Sequence, residues 1–137
     1  MIDSLLFLFN LYKKKMQHEL DTFGVGLDLF HFRVLKSIQS GTGCTPQMIA
    51  AELNRDKAQI TRSVNDLVRR GYVVKTTNPV DGRSVRLSLS PEGVALAEQN
   101  EAAEVRVGHE IFKPLTGEEI TALEGLIRKL AASDTVP

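Results

Sequence analysis

Three side chains on one predicted helix have the chemistry to recognise nucleotide bases. Gln59 and Asn65 carry amides that can form two hydrogen bonds with adenine, and the guanidinium of Arg62 can pair in the same way with guanine. At 100° per residue all three point away from the apolar stripe of the helix. Thr61 lies at the edge of this polar face, where it could contact a phosphate or a thymine methyl group. The apolar stripe consists of Ile60, Val64, Leu67 and Val68.

Basic residues around this face predict contacts with phosphates. Lys57 stands at the helix N-terminus, which itself favours anions. Arg69 lies near the C-terminus, where it could bind DNA or offset the helix dipole, and both interpretations stay open. Arg83, at the tip of a predicted hairpin, suits a minor-groove or backbone contact. Lys75 and Arg86 are placed to support it on phosphate.

Charge is unevenly distributed along the chain. The whole sequence has 17 basic and 17 acidic residues, but residues 44–90 contain eight basic and four acidic ones, a net charge of +4. A local positive patch matters more for phosphate binding than the total charge does. Asp66 lies on the outer face and opposes phosphate binding, so we expect it to hold an arginine in place.

The helix that carries these residues is the second of two short helices joined by a brief turn. Thr45 and Pro46 predict the start of the first one, because threonine is a favourable N-cap and proline fits the first helical position. Asp56 predicts the N-cap of the second helix, and Gln59 three residues later completes a pair that resembles a capping box. Gly71 ends that helix. The apolar face of the first short helix consists of Met48, Ile49 and Leu53.

A two-stranded ribbon follows. Residues 72–77 are rich in β-branched and aromatic side chains, and residues 78–82 form a strong turn signal. Val85, Leu87 and Leu89 then alternate with polar residues, which is typical of a strand with one buried face. Two short helices followed by such a ribbon predict a winged helix-turn-helix, in a fold that is mainly α with a small β wing.

Outer helices flank this unit, and their apolar faces predict a homodimer. The first helix is too apolar for one face of a small domain, and the last begins at a capping box of Thr116 and Glu119. We expect a winged DNA-binding core at residues 27–92 and a helical dimerisation region at residues 1–26 and 93–137, in one compact chain. The interlocking faces would contain Ile2, Leu5, Leu6 and Phe9 at one end and Ile120, Leu123, Ile127 and Leu130 at the other.

The dimer sets the spacing of the DNA site. Its two recognition helices should lie about one duplex turn apart, near 34 Å, which implies a palindrome with half-sites ~10 bp apart. The partners expected from the residues are therefore double-stranded DNA and a second copy of the chain.

The location expected for such a chain is the cytoplasm. Cys44 is the one cysteine, so no disulfide framework forms within the chain and a reducing compartment is the simplest interpretation. The apolar start is followed, not preceded, by the lysines at 13–15, which is the wrong order for a secretory signal. The same run is too short to span a bilayer, so no membrane contact is expected.

Three segments resemble the MarR family of transcription regulators. The sequence NPVDGRSVRLSLSPEG is similar to that family's wing and the start of the next helix, and DKAQITRSVNDLVRRGYV to its recognition helix. GLDLFHFRVLKSI resembles its second helix. The resemblance is strongest over residues 44–98.

The resemblance implies a dimeric regulator of palindromic operators, often released by small phenolic or other ligands. It places Gln59, Thr61, Arg62 and Asn65 at base-reading positions, and it makes Asp81 the wing acid that helps hold the loop of Arg83. Together with the aromatic residues Phe30, Phe32 and Phe112, it also suggests a ligand site between the winged core and the outer helices. The function expected is that of a ligand-responsive repressor.

Two other classes compete with a DNA-binding regulator. A winged helix could bind protein instead, but an apolar exposed face would then be expected where Gln59 and Arg62 stand. A metal or oxidant sensor on the same fold would use Cys44, or His31 with His109, yet neither set has the partners that such sites need. No catalytic motif, cofactor-binding motif or metal-binding motif is present, so an enzyme is not expected.

Overall fold

The computed structural model describes residues 1–42, 44–77, 80 and 85–134. These residues form six α-helices and two β-strands. In chain order the elements are α1 (Ile2–Asp21), α2 (Leu29–Gln39), α3 (Pro46–Leu53), α4 (Lys57–Arg69), β1 (Val73–Thr77), β2 (Val85–Leu89), α5 (Pro91–Phe112) and α6 (Gly117–Asp134). This is the mainly α fold with a small β wing that the sequence predicts.

Side-chain caps fix the starts of several helices, as predicted. The hydroxyl of Thr45 accepts a hydrogen bond from the backbone N–H of Met48 at 3.2 Å, directly ahead of Pro46. The capping box of α6 is complete, with Thr116 and Glu119 each accepting from the other's backbone N–H. These bonds satisfy N–H groups that have no partner within the helix.

Two local predictions are wrong. Asp56 is the N-cap residue of α4, but its carboxylate accepts no capping hydrogen bond, so the predicted pair with Gln59 does not form. The helix begins there all the same, because packing of an apolar face stabilises a short helix more than one cap does. Met48 is 41% exposed instead of buried beside Ile49, and its sulfur accepts a hydrogen bond from the Cys44 thiol at 3.5 Å.

The apolar stripe of α4 is the centre of the core that positions the polar face. Ile60, Val64 and Leu67 are buried, as predicted, and pack with buried residues of neighbouring elements. Each such side chain contributes about 1.5–3 kcal/mol by leaving water. Because this burial fixes the rotation of α4, it also determines which residues face solvent. The stripe faces α2, α3 and β1, whose buried residues include Phe32, Val34, Leu35, Ile49 and Val73.

The two strands pair in an antiparallel ladder that places Lys75 opposite Leu87 and Thr76 opposite Arg86. On β2, Leu87 is buried between exposed neighbours and Val85 and Leu89 are half-buried on the same side, so this strand has one inner face as predicted. The N–H of Leu87 also donates to the carbonyl of Cys44 at 2.8 Å. The wing is therefore tied to the residue that precedes α3.

A glycine permits the close approach of α5 to the end of α4. A Cβ atom on Gly93 would lie 2.0 Å from the carbonyl oxygen of Tyr72, a distance that no side chain can occupy. The hydroxyl of Ser90 accepts from the N–H of Gly93 at 3.0 Å and donates to the carbonyl of Gly71, and this cap holds the start of α5 against that turn.

Backbone contacts divide the chain into two units, Met1–Glu104 and Val105–Pro137. The division falls inside α5 and does not coincide with the predicted boundaries, so the division into a core at 27–92 and a dimerisation region stays a prediction. Apolar side chains are exposed in each unit, with Phe9 of α1 at 53% and Leu130 of α6 at 70%. Within the described residues, no helix is long and apolar enough to cross a membrane.

Candidate nucleic-acid interface

The exposed surface of α4 carries the side chains that the sequence assigned to base recognition. Arg62, Asn65 and Arg69 are exposed, whereas Gln59 and Thr61 are half-buried at the two sides of the same face. A helix of this width fits the major groove of duplex DNA. The arrangement therefore presents two amides and two guanidiniums at one surface, with the buried stripe behind them.

On one flank, α4 meets the wing. The ammonium of Lys75 donates to the side-chain oxygen of Asn65 at 2.6 Å, and the hydroxyl of Thr61 donates to the carbonyl of Lys57 at 2.9 Å. We call the exposed surface of α4 that carries Gln59, Thr61, Arg62, Asn65 and Arg69 the reading face. Lys75 therefore orients an amide of the reading face, a role that the sequence did not predict for it. This bond occupies the oxygen of the amide and leaves its N–H groups as hydrogen-bond donors.

The same flank borders a cavity of about 360 Å³, the wing cavity, which lies between α3, α4 and the strands. Four of the predicted DNA-binding residues come together there. The lining residues are Thr45, Pro46, Gln47, Lys57, Thr61, Val64, Asn65, Lys75 and Val85.

The remaining wing residues are only partly described. Arg86 is exposed on β2, and its carbonyl accepts a hydrogen bond from the hydroxyl of Thr76 at 3.4 Å. Arg83 and Asp81 lie outside the described residues, so the predicted support of Arg83 by Asp81 stays a prediction.

On the other flank, α4 is bound to α2 by charged groups. Asp66 accepts hydrogen bonds from Arg69 and Arg70, and its second oxygen lies 3.0 Å from Nε2 of His31 on α2. Arg70 also donates to the carbonyl of Val25 at 2.9 Å, which ties α4 to the loop before α2. The prediction that Asp66 holds an arginine is confirmed, and the residue holds two.

The electrostatics of this flank keep Asp66 charged. Partial burial alone would raise the pKa of Asp66, but the hydrogen bonds and charges of Arg69 and Arg70 outweigh it and lower that pKa below its ordinary value of 3.8. Arg69 is therefore partly neutralised by Asp66, although its side chain remains exposed.

Sequence reasoning missed the part played by α2 in this cluster. It treated His31 only as a weak metal ligand, whereas both ring nitrogens of His31 face carboxylates, Nδ1 at 2.7 Å from Asp28 and Nε2 at 3.0 Å from Asp66. One local signal was available, because Asp28 is the N-cap of α2 and His31 stands three residues later, where a capping box places its second member. We call Asp28, His31, Asp66, Arg69 and Arg70 the charged cluster.

A second cavity, of about 560 Å³, lies between α1 and the start of α2, and we call it the α1–α2 cavity. The ring of Phe9 stacks near Tyr12 and Arg55 lies over the ring of Phe30, each as part of its wall. Phe32, which we expected near a ligand site, is instead buried in the core against Phe23. The lining residues are Phe9, Tyr12, Lys13, Gln17, Asp28, Leu29, Phe30, Arg33 and Arg55.

Tyr12 remains a hydrogen-bond donor in this cavity. Burial raises the pKa of Tyr12, and the nearby carboxylate of Glu104 raises it further, against the opposing charges of Lys36 and Arg33. The phenol is therefore protonated well above neutral pH. It can donate to an acceptor that enters the cavity.

Fold and site together define a winged helix-turn-helix protein whose recognition helix presents polar and basic side chains. The profile of the MarR family matches residues 25–84. The multiple antibiotic resistance protein MarR of Salmonella typhimurium is 33% identical over 100 residues, which cover 72% of this chain and 69% of that protein. The chain belongs to the MarR family of transcription regulators.

Solved structures agree with this assignment over almost the whole chain. A cysteine-to-serine mutant of MarR from Escherichia coli, complexed with operator DNA, superposes with a TM-score of 0.81 at 27% identity, covering 93% of this chain and 91% of that one. A structure of the multiple antibiotic resistance repressor MarR superposes with a TM-score of 0.74 at 29% identity, covering 95% of this chain and 94% of that one. The chain is a DNA-binding regulator of a family of transcription regulators rather than enzymes.

Proposed function

We propose that this chain is a repressor that binds a palindromic operator as a homodimer and is released by a small aromatic acid. One observation carries the DNA-binding part, namely that Arg62 and Asn65 stand exposed on a helix whose rotation is fixed by the buried stripe and whose flanks are both anchored. In this proposal Gln59, Arg62 and Asn65 contact bases. Lys57, Thr61, Arg69, Lys75, Arg83 and Arg86 contact phosphates or support those that do.

Repression follows from occupancy of the operator, and MarR is described as a repressor in the structure that matches at 29% identity. Such a regulator acts on DNA in the cytoplasm and catalyses no reaction. A winged helix that binds protein is the weaker proposal, because the exposed face of α4 is polar and basic rather than apolar.

Dimerisation is supported by apolar surface in each unit. In α1, Leu5, Leu6 and Phe9 are more than half exposed, and in α6 the same holds for Ile127 and Leu130. Exposed clusters of large apolar side chains mark association surfaces. A second copy of the chain would cover them and would place two recognition helices on one face of the duplex.

The ligand site proposed is the α1–α2 cavity. Its walls combine the rings of Phe9 and Phe30 with the cations Lys13, Arg33 and Arg55. The aromatic ring of the ligand would stack on the two phenylalanine rings, and its carboxylate would pair with the cations. The protonated phenol of Tyr12 would donate a hydrogen bond to the same carboxylate. The protein has one form that binds DNA and one that does not. A ligand with higher affinity for the second form must weaken DNA binding by linkage.

The operator is tested by selecting bound duplexes from a random pool and footprinting the preferred site. We expect a palindrome with half-site centres ~10 bp apart and a complex of two chains per duplex. A preferred site without two-fold symmetry, bound by one chain, would contradict the dimeric arrangement.

The ligand site is tested with benzoate and 4-hydroxybenzoate, with benzyl alcohol as the uncharged control. Both acids should raise the melting temperature and weaken operator binding, and Arg33→Ala should abolish both effects. Tyr12→Phe, which removes only the phenol hydroxyl, should weaken the response without abolishing it. If neither acid changes melting or operator affinity in the wild type, the aromatic acid is excluded while the DNA-binding proposal stands.

A further inference from the structure

We propose that His31 is a positioning residue for DNA binding, which acts through Asp66 and makes operator affinity depend on pH. The proposal rests on the assignment of the exposed face of α4 to DNA. Its starting point is a single imidazole that lies between two carboxylates on different helices, Asp28 at the start of α2 and Asp66 on α4.

The number of N–H donors on the ring determines which protonation state of His31 fits between the two carboxylates. A neutral imidazole carries one N–H and can donate to only one of the two carboxylates, whereas the imidazolium donates to both. In the neutral form with the proton on Nε2, Nδ1 must accept from the backbone N–H of Asp28, which lies 3.3 Å away. The carboxylate oxygen of Asp28, 2.7 Å from Nδ1, would then face a lone pair. The distances of 2.7 Å from Nδ1 to Asp28 and 3.0 Å from Nε2 to Asp66 therefore favour the protonated ring, which gives up the longer bond from the N–H of Asp28 and donates to both carboxylates.

Charge in the cluster gives the direction of the effect. The carboxylates of Asp28 and Asp66 balance the guanidiniums of Arg69 and Arg70, so the cluster is neutral when His31 is neutral and carries +1 when it is protonated. The side chains of His31 and Asp66 are only 16% and 17% exposed, which limits screening by solvent. Further out, the cations Lys13, Arg33 and Arg55 line the α1–α2 cavity beside Asp28.

Protonation should therefore strengthen DNA binding by two routes that agree. It adds positive charge behind the reading face of α4, and it offsets Asp66, which otherwise repels phosphate. It also joins the start of α2 to α4 through two charge-assisted hydrogen bonds, which fixes α4 against α2. Histidine changes charge between about pH 5 and 8, so the effect falls within the range of ordinary binding assays.

The experiment compares operator affinity at pH 6 and pH 8 for the wild type and for His31→Gln, which keeps one hydrogen bond but cannot titrate. The preferred duplex from the random pool is the probe, at constant ionic strength. We expect the wild type to lose affinity at pH 8 by about threefold or more beyond the loss of the variant. Asp66→Asn should remove the same pH-dependent part while leaving His31 in place.

The matched controls are His18→Gln and His109→Gln, which replace the other two histidines and should retain the wild-type pH profile. Long-range ¹H–¹⁵N spectra of the free protein at pH 6 should show both ring nitrogens of His31 protonated, and less so in Asp66→Asn. Equal pH profiles for the wild type and His31→Gln would overturn the proposal. A wild type that binds no duplex at either pH would instead contradict the proposed DNA-binding face, while the spectra would still report the protonation of His31.

Discussion

The two flanks of α4 are anchored by different chemistry. Towards the wing, one hydrogen bond from Lys75 holds Asn65 at an exposed edge. Towards α2, Asp66 is half-buried and is contacted by His31, Arg69 and Arg70. The α2 flank therefore fixes the helix, whereas the wing flank orients one side chain of the reading face. Substitutions on the α2 flank should accordingly change stability as well as the pH dependence of DNA binding, whereas substitutions on the wing flank should change DNA affinity with little effect on stability.

The largest effect on stability is expected at the buried stripe of α4, which lies beneath both flanks. Leu67 is fully buried, and Leu67→Ala should lower the free energy of unfolding by about 2–5 kcal/mol, since it removes buried methyl groups and leaves a cavity. Denaturation by urea measures the change. Val74→Ala, at a residue that is 42% exposed on β1, is the control and should cost much less. Similar losses at both sites would mean that the stripe does not fix α4.

The next effect concerns the α2 flank. Asp66→Asn should lower the melting temperature at neutral pH, because the pKa of Asp66 is lowered by the arginines and the charged form is the stabilising one. A carboxyl whose pKa is lowered in the folded state contributes stability above its ordinary value of 3.8 and loses it as the pH falls through the lowered value. The difference in melting temperature between wild type and Asp66→Asn should therefore shrink below about pH 4. A difference that is constant from pH 7 to pH 3 would show that the charge of Asp66 contributes nothing.

The smallest effect on stability is expected at the wing flank. Lys75→Ala removes a hydrogen bond between exposed groups, so the free energy of unfolding should change by no more than about 0.5 kcal/mol. Affinity for the preferred duplex should fall, because Asn65 loses its fixed orientation, and Lys75→Arg should restore part of it by keeping a donor. If Lys75→Ala weakens preferred and scrambled duplexes equally, Lys75 binds phosphate and does not orient Asn65.

The sequence predicted the parts of this comparison that are local. The N-cap at Thr45, the capping box before α6 and the buried stripe of α4 depend on spacings of a few residues, and the structure confirms them. Asp56 makes no side-chain cap, and α4 begins there all the same because packing outweighs a local propensity. Helix ends and faces were thus accessible to reasoning from one element at a time.

Contacts between distant residues were not accessible in this way. His31 and Asp66 are 35 positions apart, and their approach depends on how α2 packs on α4. The pairing of Lys75 with Asn65 similarly depends on where the wing returns against the helix. The residue types of the reading face could be predicted from the sequence, whereas the groups that hold this face in position could not.

The central claim is that the exposed face of α4 recognises DNA bases. The loss of sequence discrimination in Arg62→Ala tests it most directly. Affinities of the wild type, Arg62→Ala and the control Arg128→Ala, an exposed arginine on α6, should be measured on the preferred and scrambled duplexes at several salt concentrations. Base contacts carry sequence discrimination, so Arg62→Ala should cost about 1–3 kcal/mol on the preferred duplex and much less on the scrambled one. Arg128→Ala should leave both affinities unchanged. Equal losses on both duplexes for Arg62→Ala would reduce Arg62 to a phosphate contact, and no loss on either would contradict the assignment of this face to DNA.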